Sequence, residues 1–562
     1  MMFHGFGNRR QRMRKKTNNL QVLSHTALYT ISTAFFIAIT TIFPLYITRT
    51  HYHHITGEKA TFFLIITLLA ASTIILVLFL TTRHFQVKDY FTPNEPKRPL
   101  SIAEWAAAAF ALLALLSSIF SPHGRIVWMG SPTFGRHEGF WVLLCYILAF
   151  FIISRFYKPQ RWHLLIFATG STLLSLYGIL QFLDHDILIS SGFFQTIPEP
   201  GTHGANQMLP PLTRVFRTTL GNINIVSAYA TFALVLFAWL FAGEKSPWGI
   251  IYIIPSTLAM AMLFITRGDA GWVGVLVAMV LTIPYWLTER HRLGKILIVL
   301  ASWSAAFALH NNYLIDLQSQ LDPENVTFWG DFWFLSNFTP QNSSLFLTIA
   351  AILVPIGLAL IFIPLKKWPT KIMKIAGIAL LAITIAGGIA FVEIEGARRY
   401  DRPQDVIWQA RELFHGRAED FFGSNRIFVW NEALNTLTDR PILGSGPATF
   451  RLALSEDFQN LSEERYGVHF DTAHNIYLNT AITLGIPALL ALLTLIGSLF
   501  WPTLKRAFDR PLLLAFGAAA LAYLAQGFFQ VDTPIDRPLL WIALGVMANE
   551  IWRYKIIQNS QN

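Results

Sequence analysis

Residues 222–242 read NINIVSAYATFALVLFAWLFA, and this stretch decides the fold because it carries no charged side chain over 21 positions. About 20 apolar residues in a helix are enough to span the ~30 Å hydrocarbon core of a bilayer. The whole chain has the same character, since 53% of its 562 residues are hydrophobic and 14% are charged. A soluble domain carries about 25% charged residues. The sequence therefore predicts a polytopic membrane protein and excludes a single soluble domain or a disordered chain.

Fourteen stretches qualify as spans, which predicts an all-α polytopic membrane protein with about 14 (12–14) transmembrane helices. They lie near 26–47, 60–82, 102–120, 140–154, 162–183, 222–242, 248–266, 270–287, 295–309, 344–365, 375–394, 474–500, 511–529 and 539–552. The predicted organisation is a basic cytoplasmic amino terminus (1–25), a membrane domain of about eleven spans (26–394), a large, partly helical extracytoplasmic loop (395–473) and about three carboxy-terminal spans (474–562).

The distribution of lysine and arginine predicts the orientation, because cytoplasmic loops of membrane proteins are enriched in both. The amino terminus carries six of these residues between Arg9 and Lys16, and alternation of the spans then places 26 of the 43 inside. Thirteen of the fourteen lysines lie there, and Lys59 is the exception. We therefore place both termini in the cytoplasm. The net charge of +10 follows this topology and does not indicate nucleic-acid binding.

The basic residues of the outer side are thus almost all arginines, whose planar fork suits phosphate and carboxylate oxygens and stays charged. This favours anion binding outside, although an inner bias of lysine alone would give the same distribution. Four substantial segments, 121–139, 184–221, 310–343 and 395–473, lie on the outer side, whereas the inner loops are short. The sequence therefore predicts that the chemistry takes place at the outer face.

Within 395–473, Ser424 or Asn425 can cap a helix that runs to about Asp439. The spacing of its apolar residues predicts one packed face, formed by Ile427, Trp430, Leu434 and Leu437. Arg426 stands in the first turn, where the helix dipole disfavours a cation unless an anion binds at the free N–H groups. Arg426 is therefore a candidate phosphate ligand, or else a surface residue that pairs with Glu419 or Asp420.

Two further residues stand where outer segments meet the membrane. His474 lies in the sequence DTAHNIYL, and a histidine at an interface can act as a base near neutral pH, although most such histidines have no catalytic role. Arg267 lies in a turn of about four residues that would hold its side chain close to the membrane surface. The alternative for Arg267 is an ion pair with Asp269 that only stiffens the turn.

Taken in order, these motifs resemble the O-antigen ligase and O-antigen polymerase (Wzy_C-like) superfamily, which includes bacterial protein O-oligosaccharyltransferases. The resemblance covers about residues 121–550 and rests on the order of several short motifs. They are Gly135-Arg136-His137-Glu138-Gly139, Arg217 with Gly221-Asn222-Ile223-Asn224, Thr266-Arg267-Gly268, Arg426 with Trp430, Pro441 with Gly444 and Gly446, and His474-Asn475 with Leu478. Ile223 stands where the family has proline.

The resemblance implies a GT-C-type membrane glycosyltransferase at the outer face of the bacterial inner membrane. Its donor would be a glycan on undecaprenyl pyrophosphate, and its acceptor a hydroxyl of lipid A core, of a glycan or of a protein. By the family pattern, His474 would activate the acceptor hydroxyl, Arg267 and Arg426 would bind the pyrophosphate, and the anomeric carbon would be inverted. Arg136, Arg214, Arg217, Asn224 and Asn475 are candidate substrate-binding residues. Ligase, polymerase and protein oligosaccharyltransferase stay open.

We expect no cofactor and no metal. His51, His53 and His54 could chelate zinc, but no neighbouring acid or cysteine completes a set, and the single Cys145 allows neither a disulfide framework nor a thiolate cluster. Paired carboxylates at Glu393 and Glu395 are better explained as a solvated edge. The alternative from another class is a lipid-linked oligosaccharide flippase, although the spans are almost free of charge and no internal repeat is evident.

Overall fold

The computed structural model describes residues 23–50, 52, 54–82, 98–193, 217–266, 268–319, 340–363, 367–400, 405–531 and 533–561. Two predicted site residues, Arg214 and Arg267, lie outside these ranges, as do His51 and His53. The described part of the chain is helical, and its one piece of strand pairing is an isolated antiparallel bridge between Ser131 and Arg136.

The helices follow one another in chain order. The first twelve are α1 (Leu23–Leu45), α2 (Ile55–Thr82), α3 (Ile102–Phe120), α4 (Arg125–Met129), α5 (Phe140–Phe156), α6 (Arg161–Phe182), α7 (Ile187–Ser190), α8 (Ile223–Gly243), α9 (Ile253–Thr266), α10 (Asp269–Leu281), α11 (Ile283–Trp286) and α12 (Arg290–Ser319). The others are α13 (Pro340–Phe362), α14 (Thr370–Arg398), α15 (Val406–Phe414), α16 (Phe422–Leu437), α17 (Phe450–Ala453), α18 (Glu456–Tyr466), α19 (Ile476–Leu484), α20 (Ile486–Arg506), α21 (Pro511–Gln526) and α22 (Arg537–Gln561).

Ten helical stretches of the described chain are long and apolar enough to cross a membrane, so the predicted all-helical, multi-span class is confirmed. Three of the predicted spans are shorter apolar helices, α5, α10 and α21, of 13 to 17 residues. The count of fourteen spans and the GT-C arrangement therefore remain predictions. The span predicted at 295–309 belongs to α12, which is 30 residues long and extends beyond both of the predicted ends.

The span predicted at 474–500 is wrong in one respect, because the structure divides it into α19 and α20 at Gly485. Gly485 has φ +89°, and a Cβ there would come within 2.1 Å of the Ile442 carbonyl oxygen. The next residue, Ile486, donates its N–H to the Pro441 carbonyl at 2.8 Å. The chain therefore turns here to receive the segment around Pro441, which leaves His474 outside the long span that follows.

Helix α8 forms the centre of the bundle. Every residue from Ile225 to Ala242 is buried, as expected for a helix that is apolar on all sides. Helices α9 and α21 make the closest packing with α8, and α10 packs in turn on α21. Most of α21 is buried as well, so the carboxy-terminal spans belong to the same core as α8.

Helices α13 and α14 show the opposite pattern, because hardly any of their side chains are buried in the described chain. Side chains such as Ile352, Leu358, Ile375 and Ile383 have no cover in the described chain. In a membrane protein such a surface faces lipid, which is as apolar as the side chains themselves. Helix α13 joins the bundle through α12, and α14 through α11.

Polar contacts at one end of the bundle join the loops that the sequence assigned to the inner side. Arg155, at the end of α5, binds Glu104 at the start of α3. Arg292 donates to the Phe508 carbonyl at 3.1 Å, and Arg161 donates to Ser246 at 3.2 Å. Helix α5 separates this end from the turn at 131–137 by ~25 Å, since each of its residues adds about 1.5 Å.

The large loop between α14 and α19 contains α15 to α18 and has a small core of its own. The buried face of α16 consists of Phe428, Val429 and Ala433. Phe450 of α17 and Phe458 of α18 belong to the same core. This face is not the predicted one, because Leu434 is 53% exposed and Ile427 and Trp430 are only partly buried. Helix α16 also begins at Phe422, before the predicted caps. An irregular first turn, with φ +54° at Gly423 and +69° at Asn425, changes which residues of the helix face the core.

Candidate active site

Arg136 and Asp471 join the membrane bundle to the large loop at the end opposite Arg155. The Arg136 guanidinium donates two hydrogen bonds to the Asp471 carboxylate, Nε to Oδ2 at 2.9 Å and Nη2 to Oδ1 at 2.8 Å. Such bidentate pairs fix both partners in one geometry. Arg136 itself is held by the backbone bridge to Ser131, and Gly130 at φ +86° lets this tight turn close. Sequence analysis selected Arg136 but missed Asp471.

His474 lies three residues beyond Asp471 and has φ +49°. A positive φ is uncommon for a residue with a side chain, and such strain is often found at functional sites. Neighbouring groups hold the backbone there, since Trp430 Nε1 donates to the Ala473 carbonyl at 2.7 Å and Ile476 N donates to Gly527 O at 2.9 Å. Within the described chain, the His474 ring itself makes no hydrogen bond.

The charges around His474 keep its imidazole neutral. Burial and, to a smaller extent, the positive charges of Arg426 and Arg136 lower the pKa of His474 to about 4, against the opposite effect of Asp471. The three predicted residues His474, Arg426 and Arg136 are thus brought into one electrostatic cluster, although they come from three separate parts of the sequence. A neutral imidazole can accept a proton, as general-base catalysis requires.

Arg426 occupies the irregular first turn of α16. Its guanidinium donates to the Gly423 carbonyl through Nη1 and to the Phe529 carbonyl through Nη2, the latter at 2.6 Å. Its Nε is buried and has no hydrogen-bond partner among the described residues. Neither Glu419 nor Asp420 pairs with it; Asp420 lies 3.8 Å from Arg465 instead. The surface-pair alternative for Arg426 is therefore wrong, and one buried N–H of its guanidinium has no partner in the described chain.

Asp269 is the acidic residue whose charge acts on Arg426. Burial lowers the pKa of Arg426 to about 10, and the Asp269 carboxylate partly opposes this shift. Asp269 is the first residue of α10, and the preceding Gly268 packs against Ser227 of α8. The predicted ligand Arg267 lies outside the described residues, but the chain on its carboxy-terminal side, at Asp269, adjoins Arg426. This placement is compatible with the predicted role of Arg267.

The segment between α21 and α22 links Arg426 to Asn224. Phe529 accepts the hydrogen bond from Arg426, and the next residue, Gln530, donates from its side-chain amide to the Asn224 carbonyl. The Asn224 side chain is exposed near the amino-terminal end of α8, which Asn222 caps through its side-chain oxygen. Asn224 thus lies beside the cluster, and its predicted substrate contact stays a prediction.

Asn475 has a structural role that the sequence did not reveal. Its Oδ1 accepts hydrogen bonds from the N–H groups of Tyr477 and Leu478, both at 3.0 Å, and so caps α19. The cap orients the chain immediately after His474. Contact between Asn475 and substrate remains a prediction.

Arg217 belongs to a different part of the outer face. Its guanidinium lies over the Tyr52 ring, 5.6 Å from the centroid, and its backbone N–H donates to Gln181 Oε1 at 3.0 Å. Burial lowers the pKa of Arg217, and Tyr52 opposes this shift. Arg217 therefore stands with α2 and α6 rather than with His474. The other candidate of this segment, Arg214, lies outside the described residues.

Two charged residues that the sequence analysis did not select, Glu138 and Arg537, lie next to the cluster. Arg537 approaches Glu138 to 3.3 Å, and Tyr146 donates to the same carboxylate at 2.8 Å. With Arg136 and Asp471, they line a cavity of about 40 Å³, large enough to hold water. Glu138 was inside a quoted motif, but its partner is 399 residues away along the chain, so no local pattern indicates the pair.

Glu393 and Glu395, a pair of carboxylates of the kind that a glycosidase uses, form ion pairs with neighbouring basic side chains. Glu393 lies 3.0 Å from His415 and 3.3 Å from Arg411, and Glu395 pairs with Arg398 at 2.6 Å. Both stand near the end of α14, in ion pairs that are partly open to solvent. They form the solvated edge that the sequence predicts.

Comparison with known proteins gives a match that covers the large loop and the helices around it. Residues 342–493 match the family model described as O-antigen ligase, and this match supports membership of the chain in the O-antigen ligase family. The matched region runs from α13 into α20 and includes Arg426, Asp471 and His474. Arg136, which binds Asp471, lies outside it. No curated protein matches the chain.

Proposed function

We propose that this member of the O-antigen ligase family is a membrane glycosyltransferase. It would transfer a glycan from an undecaprenyl-pyrophosphate carrier to an acceptor hydroxyl, with inversion and without a metal ion. The observation that carries the proposal is the convergence of a neutral imidazole, His474, with two guanidinium groups, Arg426 and Arg136. A base beside preorganised cations is the arrangement that attack on a sugar pyrophosphate requires.

In the proposed reaction, the acceptor oxygen forms a bond to the anomeric carbon as the bond from that carbon to the pyrophosphate oxygen breaks. The hydroxyl proton passes to His474, and the electron pair of the broken bond stays on the departing pyrophosphate. Arg426, with its unpaired Nε, is the group we assign to this developing charge. By the family resemblance, we keep Arg267 as its partner.

Because of the charges around His474, the strength of the proposed base would depend on whether the donor is bound. Burial lowers the pKa of His474, and the charges of Arg426 and Arg136 add to this effect. A bound pyrophosphate would offset these positive charges, so the pKa of His474 would rise and the imidazole would become a stronger base. Arrival of the donor would therefore activate the base that attacks it.

We place this site outside the cytoplasm in a bacterial inner membrane. The proposal rests on the excess of basic residues in the loops that meet at the Arg155 end, because positively charged loops stay inside. Helix α5 separates Arg155 from the turn that carries Arg136. The donor lipid would lie in the membrane and present its glycan to the outer cluster.

The test is transfer by the purified protein in nanodiscs supplied with undecaprenyl-pyrophosphate oligosaccharide and an acceptor. We expect His474→Ala to lower turnover by about 10²–10⁴-fold, the usual contribution of a general base. His469→Ala is the matched control, because His469 lies in the same loop but pairs with Glu463 at 2.9 Å. We expect the control and a chelator to leave turnover unchanged.

Two outcomes would refute the assignment. Normal turnover in His474→Ala would remove the base, and movement of the lipid-linked glycan without a new glycosidic bond would favour the flippase alternative. The acceptor class is decided in the same assay by offering a lipid A core glycolipid, a free glycan and a peptide with Ser and Thr. These three acceptors distinguish ligase, polymerase and protein oligosaccharyltransferase.

A further inference from the structure

A second cavity lies beside the cluster and has no role in the chemistry proposed so far. It has a volume of about 750 Å³ and is formed by the end of α1, the first turns of α2 and the turn at 131–137. Volumes of this size are typical of small-molecule sites. The lining residues that matter here are Tyr46, Tyr52, Glu58, Phe62, Ile65 and His137.

One turn of the chain separates this cavity from the proposed active site. Gly135 and His137 line the cavity, whereas Arg136, between them, binds Asp471 on the side of His474. The turn is tightly constrained, because a Cβ at Gly130 would lie 2.6 Å from the Arg136 carbonyl oxygen. An occupant of the cavity that extends past this turn would therefore reach the reacting centre.

The lining changes character along the cavity. Tyr52, Glu58 and His137 supply polar groups, and the Glu58 carboxylate accepts hydrogen bonds from the hydroxyls of Thr48 and Thr50 at 2.5 and 2.6 Å. Further along α2, Phe62, Ile65 and Ile66 make the wall apolar, and Ile65 is 55% exposed. The apolar wall continues along α2 into exposed leucines that face the membrane, so the cavity fits a molecule with a polar head and a lipid tail.

Charge indicates which substrate this molecule is. No lysine or arginine is among the described residues that line the cavity, and Glu58 contributes a negative charge. One cation, Arg217, lies over the ring of the lining residue Tyr52, whereas Arg426 and Arg136 together offer a pyrophosphate two cations on the other side of the turn. Aromatic rings at Tyr46 and Phe62, with centroids 4.8 Å apart, offer an amphipathic surface to the face of a sugar.

We propose that this cavity is the acceptor subsite, and that it holds the saccharide head of a membrane-anchored glycolipid with one hydroxyl directed past Arg136 towards His474. The inference rests on the proposed function, which it extends by separating the acceptor from the donor in space. The donor pyrophosphate binds at the arginines, and the acceptor enters between α1 and α2.

Cysteine labelling tests the occupant without relying on turnover. Thr61 is exposed in the cavity, and the natural Cys145 is fully buried, so Thr61→Cys provides one reactive thiol. A maleimide is applied with lipopolysaccharide that lacks O-antigen, with undecaprenyl pyrophosphate, or with a peptide containing Ser and Thr. We expect only the glycolipid to slow labelling, by about fivefold when its concentration is several times its dissociation constant.

Thr438→Cys, at an exposed position beyond α16, is the labelling control and should react equally with all three probes. Protection of Thr61→Cys by undecaprenyl pyrophosphate or by the peptide would overturn the proposal, and so would protection by none of the three. The wild-type transfer assay is independent of this result. A chain that makes no product but whose cavity is protected by the glycolipid would refute the proposed function and leave the subsite standing.

Kinetics provide the second arm of the test. Thr61→Trp should fill the cavity and raise KM for the glycolipid about tenfold, with KM for the donor nearly unchanged, because only acceptor binding is lost. Thr73→Trp is the matched control, since Thr61 and Thr73 both lie on α2 and donate to the carbonyl four residues earlier, at 2.8 and 2.7 Å. A rise in KM for the donor alone would overturn the proposal.

Discussion

Arginines gather at both ends of the bundle, but in two different states. At one end, Arg98 and Arg155 share the buried carboxylate of Glu104, at 3.2 and 2.5 Å. At the other end, Arg426 has two backbone carbonyls, an unpaired Nε and only the more remote charge of Asp269. In the first cluster both guanidinium groups bind a carboxylate of the protein, whereas in the second no carboxylate of the described chain forms an ion pair with Arg426.

The difference separates arginines that hold helices together from Arg426, which we propose binds the pyrophosphate. A buried carboxylate that accepts from two guanidinium groups and from the Ser101 N–H is fully used, and it holds α3 against α5. Arg426 and Arg136 instead lower the pKa of His474, which costs stability whenever that histidine must be protonated. This cost arises only at acid pH, because the His474 imidazole is neutral near neutral pH.

The largest effect is expected at Arg426. Arg426→Ala should lower kcat by about 10²–10³-fold, the usual loss when one preorganised donor to a developing negative charge is removed. Membrane insertion and the helical circular dichroism signal should be retained, because the small loop core of Phe428, Val429 and Ala433 does not include the Arg426 side chain. The measurement is turnover in the nanodisc transfer assay.

The matched control for Arg426 is Arg417→Ala. Arg417 lies in the same loop, is 55% exposed and pairs with Glu412 at 2.8 Å, outside the cluster. Its removal should leave kcat unchanged. Similar turnover in the two variants would remove the distinction between binding and structural arginines at this end of the bundle.

At the end of the bundle that carries Arg155, mutation should lower stability and leave turnover unchanged. Glu104→Ala leaves Arg98 and Arg155 buried without their shared partner, and breaking a buried ion pair costs roughly 3–5 kcal/mol. We expect a loss of that order in the free energy of unfolding, measured by reversible denaturation in detergent. Turnover for each folded molecule should stay normal. A large fall in kcat without loss of stability would show that the two ends are coupled.

The pH dependence of transfer sharpens the comparison further. The acid limb of kcat/KM reports the free enzyme and that of kcat reports the complex. In the proposed mechanism neutral His474 is the active form, so activity should fall as the pH drops through its pKa, which is about 4 without the charge of the donor. A bound pyrophosphate raises that pKa, and the acid limb of kcat should therefore lie at higher pH than the limb of kcat/KM.

Asp471→Asn provides the internal check on this assignment. The Asp471 charge raises the pKa of His474, so its removal should shift the acid limb of kcat/KM to lower pH. A limb that does not move in Asp471→Asn, or that coincides for kcat and kcat/KM in the wild type, would show that His474 is not the titrating group.

The helices could be predicted because hydropathy is a local property of the sequence. A run such as residues 222–242 is apolar on every side, and α8 is buried on every side as a result. The convergence of Arg426 and His474 was predicted only through resemblance, because nothing local in the sequence joins them. The buried face of α16 was predicted wrongly, because two residues with positive φ precede its regular turns and change which residues face the core.

The partners of the site residues could not be predicted for a related reason. Asp471 follows Arg136 by 335 residues, and Glu138 lies 399 residues from Arg537. Such pairs depend on how the helices pack, and each charge alone resembles any other interfacial residue. The same holds for the 750 Å³ cavity, whose polar and apolar walls come from three elements that no local pattern relates.

The smallest effect concerns Asn475, where a cap and a substrate contact can be separated. Asn475→Ala loses both hydrogen bonds to the first turn of α19 and should cost about 1 kcal/mol in the free energy of unfolding. Asn475→Asp keeps the acceptor oxygen and therefore the cap, but it loses the amide donor. If Asn475 only caps the helix, the Asp variant has nearly normal KM for both substrates, and the Ala variant loses stability alone. If its amide binds the donor, KM for the donor rises in the Asp variant even though stability is retained, because the added negative charge also repels pyrophosphate.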